Sequence, residues 1–440
     1  MSNSSMIDLI NELWKLKRDI VSDDFDKALY RLAREFENSD TGMLIHSYPT
    51  GEPCWTWQVP DKWTCQEAYL ETLDGQRIID YSNHPLHVVS YSLPFDGVVS
   101  RQELVDHLHI HPKLSEAVPF VFKYYERDWG LCASQQVRDT LTDEAYKVVI
   151  RSTFEPGELK LGEIIIPGQS EETFVIAAHL CHPGMVNDDL TGVVVALETA
   201  RKLMSMPHTY YTYRVLIVPE TIGTVAYLSH NEDLIPDMTA GLFLEMLGND
   251  SGHALQGSFT PDSQCDRCLV SSLPGLDSDG YSAPYRSVIN NDERQFNAPG
   301  VRVPMLSLSR VEAPGSPTRP YREYHSSLDT PAVVTQERLE ASLQVVLGLI
   351  QSWEQNQYVV NKFKGEIFCS GYGIWIDYRE NPDGHRRLFE IMERCDGEHT
   401  IADIAAELNI TFQSVWQVVS TFFEADLVRL SRTPQGTSPR

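Results

Sequence analysis

Residues 147–350 alternate strand-like apolar runs with helix-like runs, and this alternation constrains the fold more than any other feature of the chain. The strand-like runs are KVVIRS, GEIIIPG, FVIAAH, YRVLIVP, GLFLEM and VPMLSLS, and helical spacing covers 192–204 and 336–355. Strands that alternate with helices form a mixed or largely parallel sheet with helices on both faces. The sequence therefore predicts an α/β domain with a mixed, mostly parallel sheet sandwiched by helices.

Two segments outside this alternation have a different pattern. Between Trp55 and His111, short alternating and aromatic runs are separated by turn residues, which is typical of a small β-rich unit, and a helical pattern follows over 114–128. Near the C-terminus, a helix, a short helix, a turn, a longer helix and a strand predict a winged helix-turn-helix. We therefore predict an α/β domain over 1–55 and 112–360, an inserted β-rich domain over 56–111 and a winged-helix domain over 364–440.

The charge of the chain argues against a nucleic-acid partner. The formal net charge is −26, so a phosphate backbone would be repelled unless a local basic patch compensated. From His385 to Arg440 there are six arginines and no lysine against eight acidic residues. We therefore expect the winged helix to be an interaction or dimerisation module, with a homodimer as one candidate assembly. A metabolite-sensing transcriptional regulator is the least favoured alternative.

Sequence features also bear on the compartment. The N-terminus lacks the basic start and unbroken apolar core of a secretory signal, and no run of about 18 apolar residues predicts a membrane span. The eight cysteines are too scattered for a disulfide scaffold, and Cys265 and Cys268 form a single CxxC without the second pair that a structural zinc site needs. These features predict a cytoplasmic protein with reduced thiols and no membrane partner.

Metal-competent side chains follow several strands of the predicted α/β sheet. Ligands of open α/β sheets collect outside the carboxyl ends of the strands, so these side chains should converge. Any one of them alone is more often structural, but imidazoles and carboxylates together are the mixture that zinc prefers. The candidates are His179 at the end of FVIAAH, His182 three residues later, Asp188 in VNDDLTG, Glu220 after VLIVP, Glu245 in GLFLEM and His325 in EYHSSLDT.

The order and spacing of these motifs resemble those of the co-catalytic zinc aminopeptidases, whose motifs run AH, ND-x-x-S/T-G, EE-x-G, DM-I-G and YHT-x-x-DT. The resemblance covers about 147–350, and the flanking segments resemble a three-domain group of aminopeptidase-like proteins. It implies a zinc-exopeptidase-like fold and a metal-dependent hydrolase of amides or peptides. It also implies these roles: His179 and Glu245 as ligands of one zinc, Asp188 as the bridging carboxylate, His325 as a ligand of a second zinc, Glu220 as the general base, and Tyr324 as a group that stabilises the tetrahedral intermediate.

The chain departs from this family pattern at three positions. Thr221 stands where the second glutamate of EE-x-G would bind the second metal, Cys181 stands where an aspartate normally orients the first histidine, and Glu293 stands where a histidine is usual. The sequence offers His182 as an alternative ligand that would compensate for these changes. The sequence therefore leaves one or two zinc ions open, and it leaves a catalytically degenerate binding or regulatory protein as the alternative function.

Substrate recognition is less legible. The resemblance implies a short peptide or a small amide-containing molecule, and the irregular loop 249–298 offers Asp262, Asp292 and Glu293 as candidates for binding an α-amine. A separate HLHIH run places three histidines at alternate positions, which an extended strand would put on one face. This run lies outside the family's ligand motifs, so we expect a surface or interdomain role for His107, His109 and His111.

Overall fold

The computed structural model describes residues 4–37, 39, 41–206 and 208–435, and the chain divides into two compact units. The first unit is Met1–Gly252 with Ile289–Ser342, and the second is His253–Val288 with Leu343–Arg440. In chain order the strands are β1 Leu44–Pro49, β2 Pro53–Cys54, β3 Trp57–Gln58, β4 Lys62–Glu71, β5 Arg77–Asp80, β6 Phe95–Ser100, β7 Leu108–Ile110, β8 Leu131–Ala133, β9 Ala145–Glu155, β10 Glu158–Ile166, β11 Thr173–His179, β12 Thr212–Val218, β13 Met238–Glu245, β14 His253–Gln256, β15 Tyr281–Ala283, β16 Met305–Arg310, β17 Tyr358–Asn361, β18 Asp396–Thr400 and β19 Val428–Ser431. The α-helices are α1 Met6–Leu13, α2 Asp23–Ala33, α3 Arg101–Asp106, α4 Gln135–Asp139, α5 Leu190–Ser205, α6 Ile222–His230, α7 Gln264–Leu276, α8 Glu293–Phe296, α9 Gln336–Gln355, α10 Pro382–Met392, α11 Ile401–Leu408 and α12 Phe412–Glu424.

The first unit contains a mixed sheet with the strand order β1-β10-β12-β11-β13-β16. Strand β11 pairs in parallel with β12 and β13, and β13 pairs in parallel with β16, whereas β10 runs antiparallel to β1 and β12. All seven residues of β11 are buried, as its continuous apolar run requires of a central strand. Because four strands are parallel, their carboxyl ends meet at one edge of the sheet.

Helices connect the parallel strands and cover the sheet. Helix α5 joins β11 to β12, and α6 joins β12 to β13. Gly192 in the first turn of α5 has no room for a side chain, because a Cβ there would lie 2.5 Å from the carbonyl oxygen of Leu244 in β13. The close approach brings the start of α5 beside the end of β13. The predicted α/β fold class, a mixed sheet flanked by helices, is confirmed.

A second sheet in the first unit has the strand order β5-β4-β9-β6 and is antiparallel throughout. The run KVVIRS lies in β9, which pairs with β4 and β6. Its expected place in the alternating α/β segment was therefore wrong. An apolar run specifies a strand but not its partner, and here the partners come from 62–71 and 95–100. The division into three domains stays a prediction.

The helix expected over 114–128 is absent from the structure of this described segment. Its backbone is irregular and forms hydrogen bonds with a distant loop: the Phe120 N–H donates to the His325 carbonyl at 2.8 Å, and the Ser327 N–H donates to the Val118 carbonyl at 2.8 Å. Pro119 in the middle of the segment removes a donor that a helix would need. The long-range pairing therefore replaces local helical hydrogen bonds.

The second unit combines helices with a parallel pair of strands and a three-stranded sheet. Strands β14 and β15 are parallel, and β17 pairs antiparallel with β18 and β19. Thr400 and Asp403 form a capping box at the start of α11, and Asp403 also pairs with Arg267 of α7 at 2.8 Å. The expected order of helices and final strand is present, but the winged-helix assignment stays a prediction, and residues 436–440 of that predicted domain lie outside the described residues. Within the described ranges, every helix is too short or too polar to span a bilayer.

Candidate metal centre

The four predicted metal ligands lie together at the carboxyl edge of the parallel strands. His179 ends β11, Glu245 ends β13, and Asp188 lies just before α5. The His179 Nε2 atom is 3.0 Å from Asp188 Oδ1 and 3.7 Å from Glu245 Oε1. The loop after β16 brings His325 Nε2 to 3.0 Å from Asp188 Oδ2. The two oxygens of Asp188 thus face two different histidines.

These side chains form two groups that share Asp188, and a third group lies beside them. Within each group the possible ligand atoms lie within 4.8 Å of one another. The groups are His179, Asp188 and Glu245; His182, Asp188 and His325; and His179, Cys181 and His182. A carboxylate between two clusters of ligands is the arrangement that a bridging ligand needs. His182, the alternative ligand suggested by the sequence, lies in the second cluster.

Three buried atoms of the first cluster have no well-directed hydrogen bond, although two of them, His179 Nε2 and Asp188 Oδ1, lie 3.0 Å apart. They are His179 Nε2, Asp188 Oδ1 and Glu245 Oε2. A buried polar atom that lacks a good hydrogen bond costs about 1–3 kcal/mol, so three such atoms at one point indicate a place for a ligand. One imidazole and two carboxylates match the nitrogen and oxygen ligands that zinc takes in open catalytic sites. The residues present therefore fit a zinc ion.

Asp189 organises the backbone around the centre. Its Oδ1 accepts hydrogen bonds from the N–H groups of Gly192 at 2.9 Å and Met246 at 3.0 Å, and its Oδ2 accepts from the N–H of His179 at 3.3 Å. One buried carboxylate thereby ties the end of β11, the start of α5 and the end of β13 together. Burial raises the pKa of Asp189 well above its ordinary value. The two aspartates of VNDDLTG thus have different roles: Asp188 faces the histidines, and Asp189 caps the helix.

Arg18 is a supporting residue that the sequence did not reveal. Its side chain is fully buried and donates to the carbonyl oxygens of Leu13, Leu180, His182 and Met185, at 2.8 to 2.9 Å. Burial lowers the pKa of Arg18 to about 10, so the guanidinium stays charged at neutral pH. Arg18 thereby fixes the conformation of the loop after β11, which carries His182. The local sequence around Arg18 does not predict these partners, because three of them lie more than 160 residues away.

Asp329 supports the same loop from the other side. Its carboxylate accepts from the N–H groups of Asn187 at 2.8 Å and Asp188 at 3.1 Å, and from the hydroxyl of Tyr321 at 3.0 Å. Burial raises the pKa of Asp329 to about 7. Its position in the run YHSSLDT was the available signal, since this run also supplies His325.

Comparison with known proteins identifies the family. A family model described as "Domain of unknown function (DUF4910)" matches residues 7–356. The chain belongs to this family. A curated relative from Clostridium acetobutylicum, described as "Putative polysaccharide biosynthesis protein with aminopeptidase-like domain", is 29% identical over 433 residues that cover 98% of this chain and 97% of the relative.

The fold of this DUF4910 chain is similar to the folds of several solved structures. A crystal structure of a "putative peptidase" from Clostridium acetobutylicum matches with a TM-score of 0.82 and 28% identity, covering 97% of this chain and 96% of that one. BSAP, a zinc aminopeptidase from Bacillus subtilis, matches with a TM-score of 0.60 and 12% identity, covering 80% and 96%. The predicted resemblance to zinc aminopeptidases is confirmed at the level of the fold.

Glu220 and Thr221 follow β12 at the edge of the metal centre. Glu220 Oε2 lies 3.6 Å from His182 Nε2. The Thr221 N–H donates to Asp292 Oδ1 at 2.8 Å, and burial, followed by the charge of Glu220, raises the pKa of Asp292 to about 7. Thr221 therefore brings in a buried carboxylate through its backbone, where the zinc aminopeptidases have a second glutamate side chain.

Cys181 lies among the ligands of the same centre. Its Sγ is 3.3 Å from His182 Nδ1 and 3.7 Å from His179 Nδ1, and it accepts a hydrogen bond from the Glu220 N–H at 3.2 Å. Burial raises the pKa of this thiol. A neutral sulfur thus contacts both imidazoles at the position where the zinc aminopeptidase motif has an aspartate.

The backbone at the centre adopts an unusual conformation at several positions. Positive φ angles, which cost non-glycine residues energy, occur at His182, Thr221, Met246 and His325. Tyr324 stacks on the His325 ring with the centroids 3.9 Å apart, and burial raises the pKa of its hydroxyl well above the ordinary value. Such strain persists only where surrounding contacts hold the residue in place, and it clusters at functional sites.

The remaining candidates divide between the two units. Asp292 and Glu293 lie near the centre, and burial raises the pKa of Glu293 to about 8, with the charge of Glu245 as the next cause. Asp262, Cys265 and Cys268 belong to the second unit, and both cysteines are buried and form no disulfide. His107 stacks on Trp129 at 4.1 Å, whereas His109 and His111 line a cavity. Among the described residues, the histidines of the HLHIH run join none of the metal-binding groups.

Proposed function

We propose that this protein is a zinc-dependent amide hydrolase of the aminopeptidase type. The observation that carries the proposal is the pair of buried ligand clusters that share Asp188 at the carboxyl edge of an aminopeptidase-like sheet. The fold of the solved neighbours supports the same class. A short peptide or a small amide-containing molecule is the proposed substrate.

Two sets of residues would hold zinc. His179, Asp188 and Glu245 would hold one ion, and His182, Asp188 and His325 would hold a second. When bound, zinc supplies positive charge that polarises a carbonyl group and makes water more acidic. The zinc aminopeptidase motif has a second glutamate at the position of Thr221, and His182 takes the place of that ligand. We therefore propose that the protein binds two zinc ions.

The chain's own residues supply the proton transfers and the orientation. Glu220 takes a proton from the attacking water and delivers it to the leaving nitrogen, for which a carboxylate at the edge of a partly dry site is suited. Tyr324 keeps its proton, because burial raises the pKa of its hydroxyl, and it donates a hydrogen bond to the oxyanion. Arg18 holds the loop that carries His182, and Asp189 ties the strand ends that carry His179 and Glu245.

The organisation around this centre is also part of the proposal. The β-rich insert limits the centre to small substrates, and the C-terminal helical module serves assembly, with a homodimer as the proposed state. A cytoplasmic location fits the eight buried cysteines, none of which forms a disulfide.

A second candidate function is a binding or regulatory protein that keeps the fold without turnover. Thr221 and Cys181 favour it, because each replaces a carboxylate of the related enzymes' pattern. The five retained residues His179, Asp188, Glu220, Glu245 and His325 favour the hydrolase.

A test with aminoacyl chromogenic amides separates the two candidates. Zinc-loaded protein should release the chromophore, a chelator should stop turnover, and added zinc should restore it. Glu220→Gln should keep its zinc and lower kcat by about 10²–10⁴-fold, whereas Glu172→Gln, which changes an exposed glutamate, should match wild type. Absence of turnover over a full amino-acid panel in the zinc-loaded protein would favour the binding protein.

A further inference from the structure

Cys181 lies between two histidines that belong to different ligand clusters. Its Sγ is 3.7 Å from Nδ1 of His179, which is in the first cluster, and 3.3 Å from Nδ1 of His182, which is in the second. The two rings have centroids 4.8 Å apart and planes inclined by 54°, so they meet at the sulfur without stacking. Cys181 is 1% exposed. One buried sulfur therefore contacts a candidate ligand of each proposed zinc ion.

These contacts engage the same nitrogen in both rings. His179 Nε2, on the other side of its ring, lies 3.0 Å from Asp188 Oδ1 and is one of the buried atoms without a well-directed hydrogen bond. His182 Nε2 lies 3.6 Å from Glu220 Oε2. A neutral histidine that binds a metal through one nitrogen carries its proton on the other, and the acceptor of that proton fixes the orientation of the ring. Nε2 is therefore the nitrogen that each ring offers to an ion, and the Cys181 sulfur is the acceptor at Nδ1.

The backbone on both sides of Cys181 is held in place, and this determines where the sulfur lies. Arg18 donates to the carbonyl oxygens of Leu180 and His182, each at 2.9 Å. The Leu180 N–H donates to the Val218 carbonyl at 2.9 Å, so this residue continues the pairing of β11 with β12. A group that orients a metal ligand must itself be locked by its surroundings. The contacts of its two neighbours give Cys181 that fixed position.

The same sulfur also contacts the candidate general base. The Glu220 N–H donates to Cys181 Sγ at 3.2 Å. Sulfur is a weak acceptor, but it is large and polarizable, and here it lies within reach of two imidazole nitrogens and one backbone N–H. The aspartate of the zinc aminopeptidase motif orients the first histidine, so the contacts of the sulfur with His182 and with Glu220 are additional to that role.

We propose that Cys181 is a positioning residue that serves both ligand clusters and the general base. Its sulfur accepts a hydrogen bond from Nδ1 of His179 and another from Nδ1 of His182, which directs Nε2 of each ring to the metal centre. Its contact with the Glu220 N–H fixes the backbone of the base. This inference rests on the proposed zinc-dependent function and adds a residue to it that binds neither the ion nor the substrate.

The zinc affinity of the full-length protein is the first readout. In competition with a chromophoric chelator, Cys181→Ala should bind both zinc ions about 10–100-fold more weakly than wild type, as expected when a ligand loses its orienting partner. Cys181→Ser should have an intermediate affinity, because its hydroxyl accepts hydrogen bonds but lies farther from the rings. The serine variant differs by one atom, so it tests the inference even if the alanine variant does not fold. Cys268→Ala, which changes a buried cysteine of α7 in the second unit, is the matched control and should bind zinc like wild type.

Cobalt(II) in place of zinc gives a spectroscopic readout of the geometry of the centre. Cys181→Ala should change the position and intensity of the visible absorption bands, Cys181→Ser should change them less, and Cys268→Ala should leave them unaltered. Wild type should lack an intense near-ultraviolet band of sulfur-to-cobalt charge transfer. Such a band, if lost in Cys181→Ser, would show that the sulfur binds the ion directly and would contradict the positioning role.

Turnover is measured separately from affinity. Wild-type protein that binds two zinc ions but hydrolyses no aminoacyl amide would overturn the hydrolase, and the affinities would still decide the role of Cys181. Wild-type affinity in the Cys181→Ala variant, or weaker binding at only one of the two sites, would refute the shared positioning role. Wild-type protein that binds no zinc would refute it together with the metal centre.

Discussion

Replacing Arg18 should destabilise the protein strongly, because this buried side chain satisfies four backbone carbonyl groups at once. Hydrogen bonds to a charged group contribute about 1.5–3 kcal/mol each, and removing the guanidinium also removes its burial cost of several kcal/mol. The net loss for Arg18→Met is therefore about 3–5 kcal/mol. Arg18→Lys should recover little, since one ammonium group lacks the planar fork that reaches several carbonyls.

Urea unfolding at pH 7.5 measures this effect, provided that the slope with denaturant stays the same. Arg338→Met is the matched control: Arg338 pairs with Asp250 at 2.9 Å, and the side chains are 42% and 85% exposed. Such exposed pairs contribute about 0–1 kcal/mol, so the control should unfold near the wild-type midpoint. If Arg18→Met lowered the free energy of unfolding by less than about 1 kcal/mol, or by no more than the control, the hydrogen bonds from Arg18 to the four carbonyl groups would not stabilise the loop that carries His182.

Three further outcomes are expected. His182→Gln should lower the zinc content by one equivalent while His208→Gln, an exposed change, leaves it unaltered; unchanged zinc in both would exclude His182 as a ligand. Tyr324→Phe should lower kcat by about 10²-fold with zinc retained, and an unaltered kcat would remove the hydroxyl from the mechanism. Burial raises the pKa of Asp19 from 3.8 to about 7, so the unfolded chain releases this proton first and stability falls as the pH rises through that window. Between pH 4 and pH 7.5 the stability of Asp19→Asn relative to wild type should therefore rise by up to about 4 kcal/mol, and parallel pH curves would contradict the shift.

The elements that the sequence predicted well are those whose signal is local. Helix α9 has the predicted bounds, α5 differs from the predicted helix by two residues at its start and one at its end, and the apolar run before His179 forms a central strand. The convergence of His179, Asp188, Glu245 and His325 also followed from local information, because ligands at the ends of parallel strands meet at one edge. Their geometry in the structure agrees with that expectation.

The features that the sequence did not predict depend on distant partners. The run KVVIRS forms a strand, but its partners place it in the antiparallel sheet. The segment 114–128 has helical spacing, yet its backbone pairs with the loop of His325. Arg18 looks like an ordinary surface arginine until the carbonyls of Leu180 and Met185 surround it. None of these pairings is encoded by periodicity within a single segment.

Zinc content is the most direct measurement of the central claim. Elemental analysis of zinc-loaded, dialysed protein should give two equivalents for wild type, and the His179→Ala, His325→Ala double variant should lose them along with chelator-sensitive turnover. Circular dichroism of both proteins would show that the variant keeps the fold. Wild-type protein without zinc after loading, or a double variant with as much zinc as wild type, would contradict the metal centre proposed at Asp188.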